Sequence, residues 1–319
     1  MQLISFIIPC YASEGSVALV MDEIRSVVAQ RPEFDYEIIA VNDCSPDGVW
    51  QVLCAQADQD PKVKVIDLAK NGGRHNALIC GCHYARGEYV VLIDDDQQCP
   101  CDRLWDLMAP VESGAYDAAF ARYPKKTQSA LKNFGSKVND LVSNWLLEKD
   151  KDLKFSNFTV MRQFIVQEMI RYQNPYPYIS GLIHRATSRI ANVDMEERER
   201  TIGVGHYTFK KSFALWMNNL TAFSVKPLRL ATTCGVLCAL IGVIMALYTI
   251  IHKLLNPAVA AGYSSLMAVV LFLGGMVMFM LGLIGEYIGR IYISLNNSPQ
   301  YVIRESRNLR EVGKDREFQ

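Results

Sequence analysis

Short apolar runs alternate along the first part of the chain with longer segments whose apolar positions recur every three or four residues. The runs Leu3–Ile8, Tyr36–Val41, Val63–Leu68, Tyr89–Ile93 and Asp117–Ala121 predict strands. Between them, Ser16–Ala29, Asp47–Asp58, Arg74–Ala85 and Cys101–Val111 carry the helical period. Ser13 is placed to cap the first helix, and Gly87 closes the third. This rhythm predicts an α/β fold: a doubly wound, mainly parallel sheet covered by helices on both faces. Such sheets bind ligands beyond the carboxyl ends of their strands, so the residues just past each strand are the ones to examine.

Beyond Lys226 the pattern changes. Ala231–Ile251 is uncharged and long enough to cross a bilayer, which takes about 20 residues. A second uncharged stretch runs from Pro257 to Gly285, most apolar over Leu266–Ile284. Its Gly274, Gly275, Gly282 and Gly285 suit close helix packing in lipid. Lys210, Lys211, Lys226 and Arg229 precede the first span, and Arg290, Arg304 and Arg307 follow the second. The turn between offers only His252 and Lys253, so the positive-inside bias puts both ends in the cytoplasm. Phe209–Lys226 mixes Phe213, Leu215, Trp216, Leu220 and Phe223 with polar residues and reads as an amphipathic interfacial helix. The opening residues lack a basic leader, and their apolar run stops at Pro9, as expected of a first strand rather than a secretory signal. The expected layout is a cytosolic domain over residues 1–208, an interfacial helix over 209–226, a two-helix membrane hairpin over 227–293 and a cytosolic tail over 294–319.

Lysine plus arginine and aspartate plus glutamate both number 33. Zero net charge argues against nucleic acid as a partner, because backbone binding needs a clustered positive excess. The nine cysteines contain no CxxC pair, and reduced cytosolic thiols explain them better than a zinc site. The strand ends are more telling. Tyr11-Ala12-Ser13-Glu14-Gly15, Asn42-Asp43-Cys44-Ser45, Lys70-Asn71-Gly72-Gly73-Arg74-His75 and Asp94-Asp95-Asp96-Gln97-Gln98 follow the first four strands in turn. Three adjacent carboxylates repel unless something neutralises them. In an extended chain Asp94, Asp96 and Gln98 would share one face and Asp95 the other. That face would suit a hard divalent cation such as Mg²⁺ or Mn²⁺, whose shell is completed by substrate phosphates. Asp43 suits a nucleotide base or ribose, or alternatively a cap for the helix entered at Pro46-Asp47. The chain has no GxxxxGK[ST] loop, no well-placed GxGxxG and no GxSxG elbow, which argues against P-loop enzymes, nicotinamide dehydrogenases and serine hydrolases of that type.

Ser5-Phe6-Ile7-Ile8-Pro9-Cys10-Tyr11, Val41-Asn42-Asp43-Cys44-Ser45, Ala85-Arg86-Gly87-Glu88 and Asp94-Asp95-Asp96-Gln97-Gln98-Cys99-Pro100 together resemble glycosyltransferase family 2. Within it the chain is similar to the polyisoprenyl-phosphate glycosyltransferases, which include dolichol-phosphate mannose synthase and the bacterial undecaprenyl-phosphate glucosyl- and aminoarabinosyl-transferases. Gly285-Glu286-Tyr287-Ile288-Gly289-Arg290-Ile291-Tyr292 is characteristic of the bacterial two-span branch. The QxxRW motif of processive polysaccharide synthases is absent.

The resemblance implies a GT-A-type domain whose nucleotide-sugar site includes Pro9, Tyr11, Asp43, Arg74, Asp94 and Asp95. It implies a metal held by Asp94, Asp96 and Gln98, and an acceptor phosphate gripped by Arg122, Lys132 and Ser136. Asp96, Arg122, Lys132 and Arg200 carry the expected catalytic roles, with Arg200 in the segment Arg200-x-x-Gly203-x-Gly205-His206-Tyr207. Four departures leave the sugar and the acceptor contacts open: Asp95 for a small residue, Gly205 for serine, His206 for Lys or Asn, and Ser156-Asn157-Phe158-Thr159 for a GDFR-like stretch. The implied reaction is inverting transfer from a nucleotide-diphosphate sugar, UDP-glucose or a UDP-N-acetylhexosamine first, to undecaprenyl phosphate for cell-envelope glycan modification. The implied setting is the bacterial inner membrane, multi-pass, with the catalytic domain facing the cytoplasm and a homotetramer as the assembly. Other acceptors, a non-catalytic nucleotide-sugar-binding subunit and a transporter are the alternatives. Two spans without intramembrane ionisable residues weigh against the transporter.

Overall fold

The structure, a computed structural model, describes residues 1–124, 153–174, 177–198, 262–295 and 299–309, with scattered positions between 232 and 255. The chain divides into two compact units. One comprises Met1–Thr208 with Asn297–Gln319, the other Phe209–Asn296.

In the first unit the elements run β1 (Gln2–Cys10), α1 (Val17–Val28), β2 (Phe34–Asn42), α2 (Val49–Gln59), β3 (Val63–Leu68), α3 (Arg74–Tyr84) and β4 (Tyr89–Leu92). There follow α4 (Leu104–Glu112), β5 (Ala118–Arg122), β6 (Thr159–Arg162), α5 (Gln163–Met169), α6 (Ile179–Ala186), β7 (Ile190–Asp194) and, after the second unit, β8 (Ile303–Arg307). The eight strands form one sheet in the order β7-β5-β6-β4-β1-β2-β3-β8. The pairs β1–β2, β1–β4, β2–β3 and β5–β7 are parallel, while β6 and β8 run antiparallel to their neighbours.

The alternation of a strand explains the layers. Ile4, Phe6 and Ile8 of β1 with Ile38 and Ala40 of β2 join one core with α1, α2 and α4. Ile7 and Val41 point to the other face, where a Cβ added to Gly81 of α3 would fall 2.4 Å from Ile7 Cγ2. A glycine there lets α3 lie directly on the sheet, and both faces of the central strands are buried, as parallel sheets require. The five predicted strands and four predicted helices all form. Ser13 does not cap α1 with its side chain: its carbonyl accepts the Ser16 and Val17 amides, and Ser16 holds the capping position. The strands β6, β7 and β8 and the helices α5 and α6 were not among the expected elements.

The amino edge of the sheet carries a polar cluster. Ser5 Oγ donates to Glu37 Oε1 (2.5 Å) and accepts the Gly87 amide (2.7 Å), while Glu37 Oε1 also accepts the Arg86 amide (2.7 Å). Lys64 Nζ meets Glu37 Oε2 at 2.5 Å, with the Glu37 side chain only 7% exposed. A Cβ on Gly87 would lie 2.7 Å from both the Leu3 carbonyl oxygen and the Ser5 amide nitrogen. The Arg86-Gly87 motif is therefore architectural: it lets the turn into β4 close on β1.

In the second unit, α7 (Tyr263–Leu295) has 33 residues, about 50 Å at 1.5 Å per residue. Its Phe272–Gly289 stretch makes it, among the described residues, the one helix long and apolar enough to cross a membrane. Val277, Met278 and Phe279 are exposed along it. The first expected span lies largely outside the described residues, and the interfacial helix lies wholly outside them.

Replacing Glu37 by alanine strands the Lys64 ammonium, the Ser5 hydroxyl and the Arg86 amide. The expected loss is about 3–5 kcal/mol, read as a fall in melting temperature of the purified protein.

Candidate functional site

The sheet changes direction of growth at β1: β2 and β3 are added on one side, and β4 enters on the other. A crevice beyond the carboxyl ends of β1 and β4 is where such a topology binds ligands. Here Tyr11, after β1, meets the Asp94–Gln98 segment, after β4. The Tyr11 amide donates to Asp95 Oδ2 at 3.0 Å, and Ser16 Oγ donates to the Asp95 carbonyl at 2.6 Å.

The three aspartates do not follow an extended chain. β4 ends at Leu92, a turn begins at Asp95, and Gln97 has φ +63°. The strict alternation of faces therefore does not hold, and each aspartate takes partners of its own. Asp94 Oδ1 pairs with Arg74 Nη2 at 2.7 Å and its Oδ2 accepts Asn157 Nδ2 at 2.6 Å. Asp95 turns to Tyr11, and Asp96 Oδ1 accepts the Gln98 amide at 3.2 Å. Burial, reinforced by Asp94 and Asp96, raises Asp95 to a pKa of about 6 against the pull of the Tyr11 amide. Among the described residues no cluster of three or more histidine, cysteine or acidic side chains forms a complete metal site. Two carboxylates at one turn instead match Mg²⁺ or Mn²⁺, which take one or two protein carboxylates and complete the shell from substrate phosphates and water.

Asp43 follows β2 and is buried. Its Oδ1 accepts the Gly72 amide (2.7 Å) and its Oδ2 the Gly73 amide (2.8 Å), so it braces the loop after β3 instead of capping α2. Burial raises its pKa, and the two amides oppose the rise. Gly73, at φ +85°, is where the loop turns into α3, a conformation that glycine adopts freely. The α2 end is served by Asp47, whose Oδ1 accepts the Val49 amide and the Ser45 hydroxyl. Ser45 Oγ in turn accepts the Ala12 amide at 2.8 Å, tying the loops after β1 and β2 together. Ala12 (φ +55°) and Cys44 (φ +52°) join Gln97 in the left-handed region. Each such residue costs of order 1–3 kcal/mol and persists only where its surroundings hold it.

Pro9 lies within β1 opposite Val41, and Tyr11 is 48% exposed at the rim. Arg122 ends β5 and makes a two-point ion pair with Asp194, 2.9 Å from Nη2 to Oδ2. That contact holds the Asp194 carboxyl below its usual range. Lys132, Ser136 and Arg200 lie outside the described residues. Two contributors escaped sequence reasoning. Asn157 stood out only as a departure from a family pattern, and Asp194 gave no local signal. No disulfide forms among the described cysteines, and burial pushes the Cys82 thiol up to about 12.

The family model for glycosyl transferase family 2 matches residues 5–169, and that for the GtrB C-terminal hairpin matches residues 226–291. The chain belongs to glycosyltransferase family 2. It is 30% identical over 303 residues to the uncharacterized glycosyltransferase YkcC of Bacillus subtilis, covering 95% of this chain and 93% of the relative. It is 28% identical over 307 residues to the SfII prophage-derived bactoprenol glucosyl transferase of Shigella flexneri, covering 95% of this chain and 98% of that one. Among solved structures it is similar to glucosyl-3-phosphoglycerate synthase from Mycobacterium tuberculosis in complex with Mn²⁺, UDP-glucose and phosphoglyceric acid. The TM-score is 0.53 at 16% identity, over 70% of this chain and 79% of that one, a likeness of GT-A-type fold alone.

His75, at the start of α3, stacks edge-on against Tyr178 with ring centroids 5.7 Å apart. Burial, with Arg74 nearby, lowers its pKa to about 4. An unfolded histidine titrates near 6.5, so between about pH 6.5 and 4 the unfolded chain binds a proton that the folded chain refuses. Stability is therefore lost as pH falls through that window. The melting temperature of the wild type should drop more steeply there than that of His75→Gln.

Proposed function

We propose that this chain transfers a hexose from a nucleotide-diphosphate sugar to a polyisoprenyl phosphate, with inversion, at the cytoplasmic face of a bacterial inner membrane. The observation that carries the reading is a match over 95% of the chain, membrane hairpin included, to a bactoprenol glucosyl transferase. The site is built for that chemistry. A lipid phosphate is already anionic near neutral pH and needs no strong general base. Its oxygen bonds to the anomeric carbon as the bond to the diphosphate breaks, and the nucleoside diphosphate leaves with the electron pair. One displacement inverts the centre; retention would need a covalent sugar intermediate and a second step.

The protein's part is placement and charge. Asp43, with the Gly72-Gly73 loop it holds, Pro9 and Tyr11 form the nucleotide end of the site. Arg74, paired with Asp94, lies where the diphosphate charge has to be met, and Asp95 fixes the turn to Tyr11. Asp94, Asp96 and Gln98 would hold Mg²⁺ or Mn²⁺, which when bound neutralises charge on the departing diphosphate. Arg122 would exchange Asp194 for the acceptor phosphate, joined by Lys132, Ser136 and Arg200 on the strength of the family resemblance. UDP-glucose and UDP-N-acetylhexosamines are the first donors to test. A hairpin of two spans, an interfacial helix at 209–226 and a homotetramer complete the reading, with the layout 1–208, 209–226, 227–293 and 294–319.

The test is a donor screen: membranes carrying the chain, undecaprenyl phosphate, a panel of UDP-, GDP- and dTDP-sugars, and mass spectrometry of the lipid extract. A sugar-bearing polyisoprenyl phosphate is expected. Product confined to the aqueous phase would assign a different acceptor, and no product with any donor would leave a binding subunit. Asp96→Asn should lower kcat by about 10²-fold or more, with the melting temperature little changed.

A further inference from the structure

The segment that follows the membrane helix returns to the sheet as β8, antiparallel to β3, and it reaches the loops of the candidate donor site. Arg304 is the contact. Its Nη1 lies 3.1 Å from Asp67 Oδ2, its Nη2 donates to the Ala69 carbonyl at 3.1 Å, and Cys44 Sγ is 4.0 Å away. The Asp67 side chain is 5% exposed and that of Arg304 56%. Asp67 Oδ1 accepts Asn42 Nδ2 at 2.7 Å, and Asn42 Oδ1 accepts the Ser45 amide at 3.1 Å. Ser45 then holds the Ala12 amide and the Asp47 carboxylate. On the other side, the Ala69 amide donates to the Val302 carbonyl at 2.8 Å, so both polar groups of Ala69 are held by the β8 segment. Ala69 opens the loop whose Gly72 and Gly73 amides meet Asp43.

The geometry points to Arg304 as a positioning residue for nucleotide-sugar binding. It answers the buried Asp67 carboxylate, and through Asn42 and Ala69 it sets the loops after β2 and β3. The inference rests on the reading of this edge as the donor site and adds a residue from beyond the membrane hairpin to it. Removing the guanidinium leaves Asp67 buried with Asn42 as its partner, a carboxylate in want of a cation. The favoured relief is for the loop ends to shift and admit water, which displaces Ser45 and the Gly72-Gly73 turn. Ground-state donor binding should suffer; the chemical step, which runs at Asp94–Asp96, should not.

The experiment compares full-length wild type, Arg304→Met, Arg304→Lys, Asp67→Asn and the double variant Arg304→Met/Asp67→Asn, using whichever nucleotide sugar the wild type turns over. Arg304→Met should raise donor KM about three- to thirtyfold and leave kcat within about twofold. Arg304→Lys, which keeps the charge and loses the fork, should fall between. The double variant removes both charges and should bind donor more tightly than Arg304→Met, a non-additivity expected of direct partners. A lowered melting temperature in Arg304→Met with wild-type KM would reduce Arg304 to a strut and overturn the inference. Equal KM for Arg304→Met and the double variant would also overturn it. Failure of the wild type to turn over any donor would overturn the glycosyltransferase reading first, and this inference with it, so the two failures are distinct.

Discussion

A carboxylate taken out of water must be met by donors or it will not stay ionised, and the carboxyl edge of this sheet is organised around meeting five of them. Asp43 takes two glycine amides, Asp47 the Glu14 and Val49 amides, Asp67 an amide side chain and a guanidinium, Asp94 a guanidinium and an amide side chain, Asp95 the Tyr11 amide. In most of these pairings carboxylate and donor follow different strands. The acidic residues are thus the ties between loops that would otherwise be independent. Left-handed backbone at Ala12, Cys44 and Gln97 persists because those ties over-determine the turns.

The amino edge uses the same chemistry to a different end. Ser5, Glu37, Lys64 and the Arg86-Gly87 amides satisfy one another in a cluster around a nearly inaccessible glutamate. The carboxyl edge is satisfied only in part by its own groups. Arg74 and Asp94 face each other half-buried, and Asp95 holds its proton up to about pH 6 because burial and two neighbouring carboxylates disfavour its charge. A surplus of negative charge at a partly open turn, with an arginine beside it, is an arrangement that a cation with a bound diphosphate would complete.

The central sheet was legible in the sequence because its strands are continuous apolar runs with polar residues stacked at their ends. The hydrophobic period carried β1 to β5 and α1 to α4. It failed at β8, where Ile303-Arg304-Glu305-Ser306-Arg307 has one apolar residue and pairs along an edge through backbone bonds. It failed too at Thr159–Arg162, a four-residue strand whose direction is set by pairing with β4 and β5. The acidic cluster was legible as composition and not as geometry. Alternation assumes that the strand continues through Asp96, whereas β4 stops at Leu92 and the chain turns. Asp43 was placed at the right strand end, but its amide partners are some thirty residues away and no local spacing shows them.

The order of the chain has a physical consequence for the site. The sheet is left incomplete at β3 until the residues after the second unit arrive, and the edge they cover is the one bearing Asp67. An unpaired edge beside a buried carboxylate is unfavourable on two counts, since it exposes ladder groups and leaves the charge without its cation. The β3 edge of the sheet is therefore finished only by a segment that lies beyond the whole second unit in the sequence. The edge beside Asp67 gains both its ladder partner and its cation only in a chain that already carries the intervening second unit.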